Sequence, residues 1–206
     1  MLDMEACPKV SAVVRDRLLL PAWTAVRANE ARKAEWSEFD LEAGVWTIPE
    51  ERMKMRREHC VPLPRQCLEM LRKRKESRGD SPYIFSSSRS ETGYVNETAA
   101  LTAIRRMGWT KEEMCVHGFR GMYSTLIHES QEWSNEVIKQ QLSHQKENAI
   151  EGAYDHSEYM EPRRKMMQRY ADWLDQLKEE ARQAQNADAG GEGPSGDGTA
   201  DGDETA

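Results

Sequence analysis

The sequence predicts an α+β fold that is mainly α-helical and contains one small three-stranded antiparallel sheet. Apolar residues recur at helical spacing over most of the chain, and the period changes to that of strands between residues 36 and 63. A chain of 206 residues has room for one domain of ordinary size with its own core. We therefore divide it into an unassigned N-terminal segment at 1–10, one folded domain at 11–185 and a disordered acidic tail at 186–206.

The negative charge of the chain comes mostly from this tail. The formal net charge is −7, from 36 acidic and 29 basic residues. The tail contains six of the acidic residues and no Lys or Arg, which leaves 30 acidic residues against 29 basic ones elsewhere. An acidic total therefore does not exclude a nucleic-acid partner, because local basic clusters decide such binding.

The cysteines and the apolar runs indicate the compartment. The four cysteines have neither CxxC nor zinc-finger spacing, which predicts free thiols in a reducing compartment. The longest apolar run near the start, at residues 18–23, is too short for a membrane span or a secretory signal. We therefore predict a soluble cytoplasmic protein with no membrane partner.

The first part of the domain has the apolar spacing of a helix from residue 11, which Pro21 interrupts or kinks. A helical pattern resumes at 23–35 and places Arg27 and Glu30 three residues apart on one face. Taken alone, this pair is typical of a solvated helix surface. A functional role for it depends on the residues with which it combines.

Residues 36–63 have the pattern of three short strands. A strand, a turn at 42–44 and a second strand are predicted up to Pro49. After a further turn, a third strand is predicted at 60–63. Together they form a small antiparallel sheet.

The hairpin between the second and third strands carries a lysine near its tip. Arg52 and Lys54 alternate with Met53 and Met55, which predicts two basic side chains on one face and two apolar ones on the other. A turn is predicted at 56–58. Lys54 is either a catalytic lysine or a charge that protects an exposed edge strand.

Five further helices are predicted after the sheet. They begin near Pro64, Asn96, His117, Ser134 and Pro162. The first of them ends in the basic run at 72–75, which either contacts phosphate or forms a solvated helix end. The last has a long apolar stripe, which indicates packing against the core.

The segment from His117 to Tyr154 concentrates chemically active groups. His117 and Arg120 fall in the first turn of a predicted helix, where the helix N-terminus favours anions. His144 closes the next helix, and Tyr154 follows ten residues later. These four residues supply two imidazoles, a guanidinium and a phenol within fewer than forty residues. These are the groups needed to bind a phosphodiester and attack it with a tyrosine.

Each of these groups suits one part of phosphodiester cleavage. Arginine can donate two hydrogen bonds to phosphate oxygens. Tyrosine, with an unperturbed pKa of about 10, needs nearby positive charge and a base such as histidine. A lysine on the hairpin can protonate the leaving 5′ oxygen. No carboxylate cluster is placed to hold magnesium, so we predict metal-independent chemistry without a cofactor or a small-molecule substrate.

Seven short stretches, taken together, carry a family resemblance. They lie at 25–32, 36–41, 45–57, 117–120 (His-Gly-Phe-Arg), 141–144 (Gln-Leu-Ser-His), 153–154 (Ala-Tyr) and 158–161. In this combination and order the chain resembles the tyrosine recombinases, also called phage integrases, and among them the prophage-type integrases. The resemblance covers roughly residues 18–177. It identifies the domain at 11–185 as a recombinase catalytic domain and implies the fold of DNA breaking-rejoining enzymes.

The resemblance implies a role for each of six residues. The catalytic positions that match are Arg27, Lys54, His117, Arg120, His144 and Tyr154. Tyr154 matches the nucleophile, which would form a 3′-phosphotyrosyl link and free a 5′ hydroxyl. Glu30 matches an acidic position that orients its neighbours, and Tyr159 is the nearest rival nucleophile.

The resemblance also implies double-stranded DNA as the partner. We expect Arg52, Arg56 and Arg57 to contact it, and the chain to associate into tetramers on it. Family members usually carry DNA-binding modules upstream, and only about twenty-five residues precede Arg27 here. The predicted function is site-specific DNA recombination or integration by an N-terminally truncated integrase. The alternative is a catalytically inactive remnant that binds DNA or an integrase.

Overall fold

The computed structural model of the chain describes residues 7–77, 79–144 and 159–190, with 188–190 described by their backbone only. The helices in these ranges are α1 (Ala12–Thr24), α2 (Ala28–Arg32), α3 (Arg65–Glu76), α4 (Glu97–Arg106), α5 (Gly118–Ser130), α6 (Asn135–Gln141) and α7 (Met160–Gly190). None of the helices within the described residues is long and apolar enough to cross a bilayer. All four cysteines are free, as the sequence predicts.

The sheet is antiparallel and confirms the predicted fold class. Its strands are β1 (Phe39–Asp40), β2 (Val45–Ile48) and β3 (His59–Pro62), in the order β1-β2-β3. The first turn contains Gly44 with φ 65°, and the Asp40 carboxylate accepts two backbone N–H groups of the turn at 3.0 and 2.8 Å. Trp46 on β2 is fully buried and stacks on Phe39, with ring centroids 4.9 Å apart.

The segment between β2 and β3 differs from the prediction, because it forms turns rather than strands. A 3₁₀ turn (Glu50–Arg52) is followed by Met53, whose N–H donates to the carbonyl three residues earlier at 3.1 Å. Arg56 has φ 48°, and its N–H donates to the Met53 carbonyl at 3.1 Å. These local bonds use backbone groups that a strand pair would need. Met53 is therefore buried while Met55 is 40% exposed, and the predicted alternation of this segment is wrong.

The first helical region divides at Ala25 rather than at Pro21, where the sequence predicts an interruption or a kink. α1 passes through Pro21, and Ala25 then takes a left-handed conformation with φ 56°. The Ala25 N–H donates to the Pro21 carbonyl at 2.9 Å, which closes the last turn of α1. Arg27 is the N-cap residue of α2. The sequence did not indicate this break, because the left-handed residue is an alanine rather than the usual glycine.

The last helix is longer than predicted. α7 begins at Met160, two residues before Pro162, and runs to Gly190. Residues 186–190, which the sequence assigned to the disordered tail, are therefore helical. Ala, Glu, Gln and Arg dominate the preceding part of α7, and their high helix propensity favours the extension.

The central helix of the domain is α1. It packs against α2, α3, α4, α5 and α7, and every residue from Arg17 to Thr24 is buried. Leu18 and Leu20 have no exposed surface. Because α1 is enclosed on several sides, the position of its C-terminal end is determined by core packing.

The C-terminal ends of α1 and α6 meet in the core and are closed by side chains from other elements. Gln141 donates from Nε2 to the Thr24 carbonyl at 2.9 Å, and its own carbonyl lies 3.2 Å from His59 Nε2. The fully buried Arg163 of α7 donates to Gln141 Oε1 at 3.0 Å and to the Cys60 carbonyl at 2.6 Å. The bonds to the Thr24 and Gln141 carbonyls satisfy backbone groups that the last turn of a helix leaves unpaired.

Replacing Arg163 with methionine is expected to lower the free energy of unfolding by about 2–3 kcal/mol. The substitution leaves Gln141 Oε1 and the Cys60 carbonyl without these donors. Urea denaturation followed by tryptophan fluorescence measures the change. Arg164→Met is the matched control, because the Arg164 side chain is 33% exposed and its pair with Glu161 is loose at 3.5 Å.

The control substitution should lower the free energy of unfolding by less than about 1 kcal/mol, since surface ion pairs contribute little to stability. Equal losses in the two variants would contradict the role of the buried network.

Candidate active site

Arg27 is held by a buried carboxylate. The Glu30 carboxylate accepts the Arg27 backbone N–H at 2.7 Å and its Nη1 at 2.8 Å. Glu30 is 3% exposed, whereas the Arg27 side chain is 25% exposed. The interpretation of this pair as a solvated helix surface is therefore wrong. Glu30 is in a position to orient the Arg27 guanidinium toward the surface.

Arg120 of α5 connects the ends of α1 and α6. Its Nη1 donates to the Ala25 carbonyl at 2.7 Å, and its Nη2 donates to the Leu142 carbonyl. Both residues are helix C-caps, where the helix dipole favours a cation. Arg120 is 8% exposed. Burial and the nearby Arg27 charge lower the pKa of Arg120 to about 10, so it stays protonated at neutral pH.

His144 lies just beyond the end of α6. Ser143 has φ 47°, and the His144 N–H donates to the Lys139 carbonyl at 3.0 Å. Loss of part of the water around the ring, followed by the charges of Arg120 and Arg27, lowers the pKa of His144 below its usual value. The imidazole is therefore neutral at neutral pH and able to accept a proton.

His117 and Arg120 have the predicted spacing at the start of α5 but differ in exposure. His117 is the residue before the helix, and its carbonyl accepts the Arg120 N–H at 3.2 Å. His117 is exposed, whereas Arg120 is buried. The helix N-terminus favours negative charge near His117. The His-Gly-Phe-Arg stretch at 117–120 thus places an imidazole at the surface and a guanidinium in the interior.

Arg52 joins the loop that carries Lys54 to the helix that carries Glu30. It forms an ion pair with Glu38 and donates to the Glu30 carbonyl. Its side chain is 15% exposed. These contacts give Arg52 a structural role that the sequence did not indicate. Lys54 is exposed and makes no hydrogen bond or ion pair within the described residues.

The remaining predicted site residues lie in the same loop or beyond the described ranges. Arg56 is exposed and Arg57 is partly exposed. Tyr154 lies outside the described residues, so its place in the site stays a prediction. Its rival Tyr159 has φ 63°, and its carbonyl accepts the Arg163 N–H at 2.8 Å at the start of α7.

Sequence reasoning missed the residues directly behind the site. Gln141 stands in one of the stretches that carry the family resemblance, which was the available signal. His59 and Arg163 have no local signal, because their partners are distant: His59 and Gln141 are 82 residues apart, and Arg163 and Cys60 are 103 apart. Burial, followed by the Arg163 charge, lowers the pKa of His59 to about 3.

Solved structures of recombinases and integrases share the fold of this chain. The integrase from mycobacterium phage Brujita has a TM-score of 0.61 at 17% identity, covering 82% of this chain and 54% of that one. XerA recombinase has a TM-score of 0.56 at 19% identity, covering 70% and 53%. A lambda integrase dimer bound to a COC′ core site has 0.54 at 20% identity, covering 70% and 55%. The fold is therefore that of the tyrosine recombinase catalytic domain.

Sequence comparison defines the class further. The model of the phage integrase family matches residues 4–161. The integrase of Enterobacteria phage P4 is 40% identical over 177 residues, covering 79% of this chain and 40% of that protein. Prophage integrase IntS of Escherichia coli (strain K12) is 35% identical over 158 residues, covering 76% and 40%. The chain belongs to the phage integrase family, and it spans about two fifths of the length of these relatives.

Lowering the pH from 7 to 5 is expected to reduce the free energy of unfolding by about 2 kcal/mol through His59. The pKa of His59 is about 3 in the folded protein, against about 6.5 in an unfolded chain. The unfolded state therefore binds the proton first, and stability is lost as the pH falls from about 6.5 toward the folded pKa. Denaturant titrations at several pH values measure this loss.

The variant His59→Gln should flatten this part of the stability profile. His128→Gln is the matched control, because His128 is exposed and should leave the slope unchanged. A slope that persists in His59→Gln would show that another group causes it.

Proposed function

We propose that the chain catalyses site-specific cleavage and rejoining of DNA strands, with Tyr154 as the nucleophile. The observation that carries the proposal is the pair of bonds from Arg120 to the ends of α1 and α6. Because of them, the turn that leads to Arg27 and the segment that leads to His144 lie together. Two guanidinium groups and a neutral imidazole then serve one phosphate. Membership of the phage integrase family supports the same chemistry.

The scissile phosphate is bound by the positive groups of the site. Arg27 and Arg120 donate hydrogen bonds to its non-bridging oxygens, where negative charge increases in the transition state. His117 adds a donor at the N-terminus of α5. Glu30 is the buried carboxylate paired with Arg27, and it leaves the group as a whole positive. An anionic phosphate completes the charge balance.

The chemical step forms one bond to phosphorus and breaks another. The Tyr154 hydroxyl oxygen attacks the phosphate and forms the 3′-phosphotyrosyl link, while the bond to the 5′ oxygen breaks. His144 accepts the phenol proton, and Lys54 donates a proton to the leaving 5′ oxygen. Rejoining is the reverse reaction with a 5′ hydroxyl as the nucleophile. The scheme uses neither a metal ion nor a cofactor.

The substrate in this proposal is double-stranded DNA in the cytoplasm. Arg56 and Arg57 lie at the surface of the loop that carries Lys54, and there they contact backbone phosphates. Structures with the same fold include a lambda integrase tetramer bound to a Holliday junction and XerH recombinase bound to its difH substrate. By analogy, we infer that this chain self-associates as a tetramer on DNA.

A covalent adduct with DNA tests the proposed nucleophile. A nicked suicide substrate loses its short 5′-hydroxyl strand after cleavage, which traps the phosphotyrosyl intermediate. The wild-type chain should form an adduct visible by denaturing gel electrophoresis, with EDTA present throughout. Tyr154→Phe should form none, because it lacks the attacking oxygen. Tyr159→Phe is the matched control and should keep the adduct.

An adduct that persists in Tyr154→Phe but disappears in Tyr159→Phe would transfer the role to the rival tyrosine. If the wild-type chain forms no more adduct than Tyr154→Phe, the catalytic proposal fails. Salt-sensitive DNA binding that weakens on neutralising Lys54, Arg56 and Arg57 would then indicate a binding module without catalysis.

Glu30→Gln tests whether the buried carboxylate positions Arg27. We expect adduct formation to slow by about 10- to 100-fold, because a misplaced catalytic group loses much of its effect. The affinity for the duplex should stay nearly unchanged, since Glu30 is buried and does not face the solvent. Single-turnover cleavage and an equilibrium binding titration separate the two effects.

Glu42→Gln is the control, because Glu42 is an exposed residue of the turn between β1 and β2. It should cleave at the wild-type rate. A parallel loss of affinity and rate in Glu30→Gln would contradict a positioning role.

A further inference from the structure

A basic groove lies at the N-terminal end of α1, at the opposite end of this helix from Arg27. Its volume is about 530 Å³, and it is bounded by the chain before α1, the loop before α4 and one side of α4. The groups that matter for its chemistry are the cations of Lys9, Arg89 and Arg106 and the hydroxyls of Ser11, Thr98 and Thr102. Among the residues that the structure describes, none of those lining the groove is acidic.

The three cations are unpaired within the described residues. None of them forms an ion pair there, although the Arg106 Nη1 donates to the Lys9 carbonyl at 3.3 Å. The nearby Glu97 does not line the groove. Its charge acts on the buried Arg17 instead: burial and the Arg32 charge lower the pKa of Arg17, and Glu97 partly offsets this lowering. Three like charges around one groove repel each other. The folded protein gains no stability from this arrangement, which therefore suits an anionic ligand.

The start of α4 adds to the positive potential of the groove. Asn96 caps this helix by accepting the Ala99 N–H at 2.8 Å, and Thr98 lies in the first turn. A helix N-terminus of this kind has a partial positive charge. Hydroxyl and amide groups beside arginines are the side chains that commonly bind phosphate oxygens in DNA backbones.

We propose that this groove binds the sugar–phosphate backbone of the duplex that enters the active site. The proposal rests on DNA as the substrate but not on cleavage. α1 has 13 residues and is therefore about 20 Å long, which separates the groove from the turn that leads to Arg27. This distance is less than one turn of B-DNA, about 34 Å. A single duplex is long enough to contact both places.

The salt dependence of binding tests the groove directly. Fluorescence anisotropy with a labelled duplex measures the dissociation constant from low to moderate salt, and the assay requires no strand cleavage. Arg89→Gln combined with Arg106→Gln should reduce the slope of log K against log salt by about two, because two phosphate contacts are lost. The loss should be similar for duplexes of unrelated sequence.

The matched control is Arg169→Gln combined with Arg182→Gln, which removes the same charge from the surface of α7. Arg169 pairs loosely with Glu132 in the connection between α5 and α6, and Arg182 pairs loosely with Glu179 of α7, both at 3.7 Å. The control should keep the wild-type slope. Arg89→Lys combined with Arg106→Lys should also keep most of it, because the charge remains.

A second measurement uses the unmodified protein and does not depend on the folding of any variant. Lys9 is exposed, and bound duplex should protect its amine from acetylation as read by mass spectrometry. The proposal would be overturned by equal salt slopes in the groove variant and the control, or by a Lys9 amine that bound duplex does not protect. A loss of affinity that depends on DNA sequence, or no DNA binding by the wild-type chain, would overturn it as well. If no adduct forms through Tyr154 but the salt dependence and the Lys9 protection are as expected, only the proposed cleavage is refuted.

Discussion

The site depends on how two helix C-termini are closed. The Arg120 guanidinium donates to the C-cap carbonyls of both α1 and α6, and Gln141 and His59 close the neighbouring carbonyls. A buried cation is costly, but here it faces the negative ends of two helix dipoles and carbonyls that need donors. The segments that carry Arg27 and His144 leave from these two helix ends. One set of hydrogen bonds therefore stabilises the core and aligns the candidate site.

The same arrangement concentrates positive charge. Besides burial, the Arg27 charge contributes to the lowered pKa of Arg120, and the charges of Arg120 and Arg27 contribute to the lowered pKa of His144. Glu30 is the buried carboxylate beside these groups. Its backbone carbonyl accepts a hydrogen bond from Arg52, which lies in the loop that carries Lys54. A site with this surplus favours an anion that carries its own negative charge. The phosphodiester of the proposed DNA substrate is such an anion, and burial, together with the same arginine charges, lowers the pKa of His144.

Sequence reasoning succeeded where the signal was local. The box at 117–120 starts a helix, Asn96 caps another helix by accepting the Ala99 N–H, and three strands form an antiparallel sheet. It failed where a local pattern met a competing constraint. The alternation at 52–55 was overridden by turn hydrogen bonds. The helix expected at 23–35 was interrupted at Ala25, whose left-handed conformation ends α1.

By itself, the sequence determined the fold class and the family and predicted the reactive groups, because element type and motif order depend on residues close together in the chain. Only the tertiary structure decided that Glu30 is buried, that Arg52 supports the loop beside it and that His59, Gln141 and Arg163 lie behind the site. These roles arise from hydrogen bonds such as that between Gln141 and Thr24, which are 117 residues apart. No local pattern encodes such a partner, since it exists only after the core has packed.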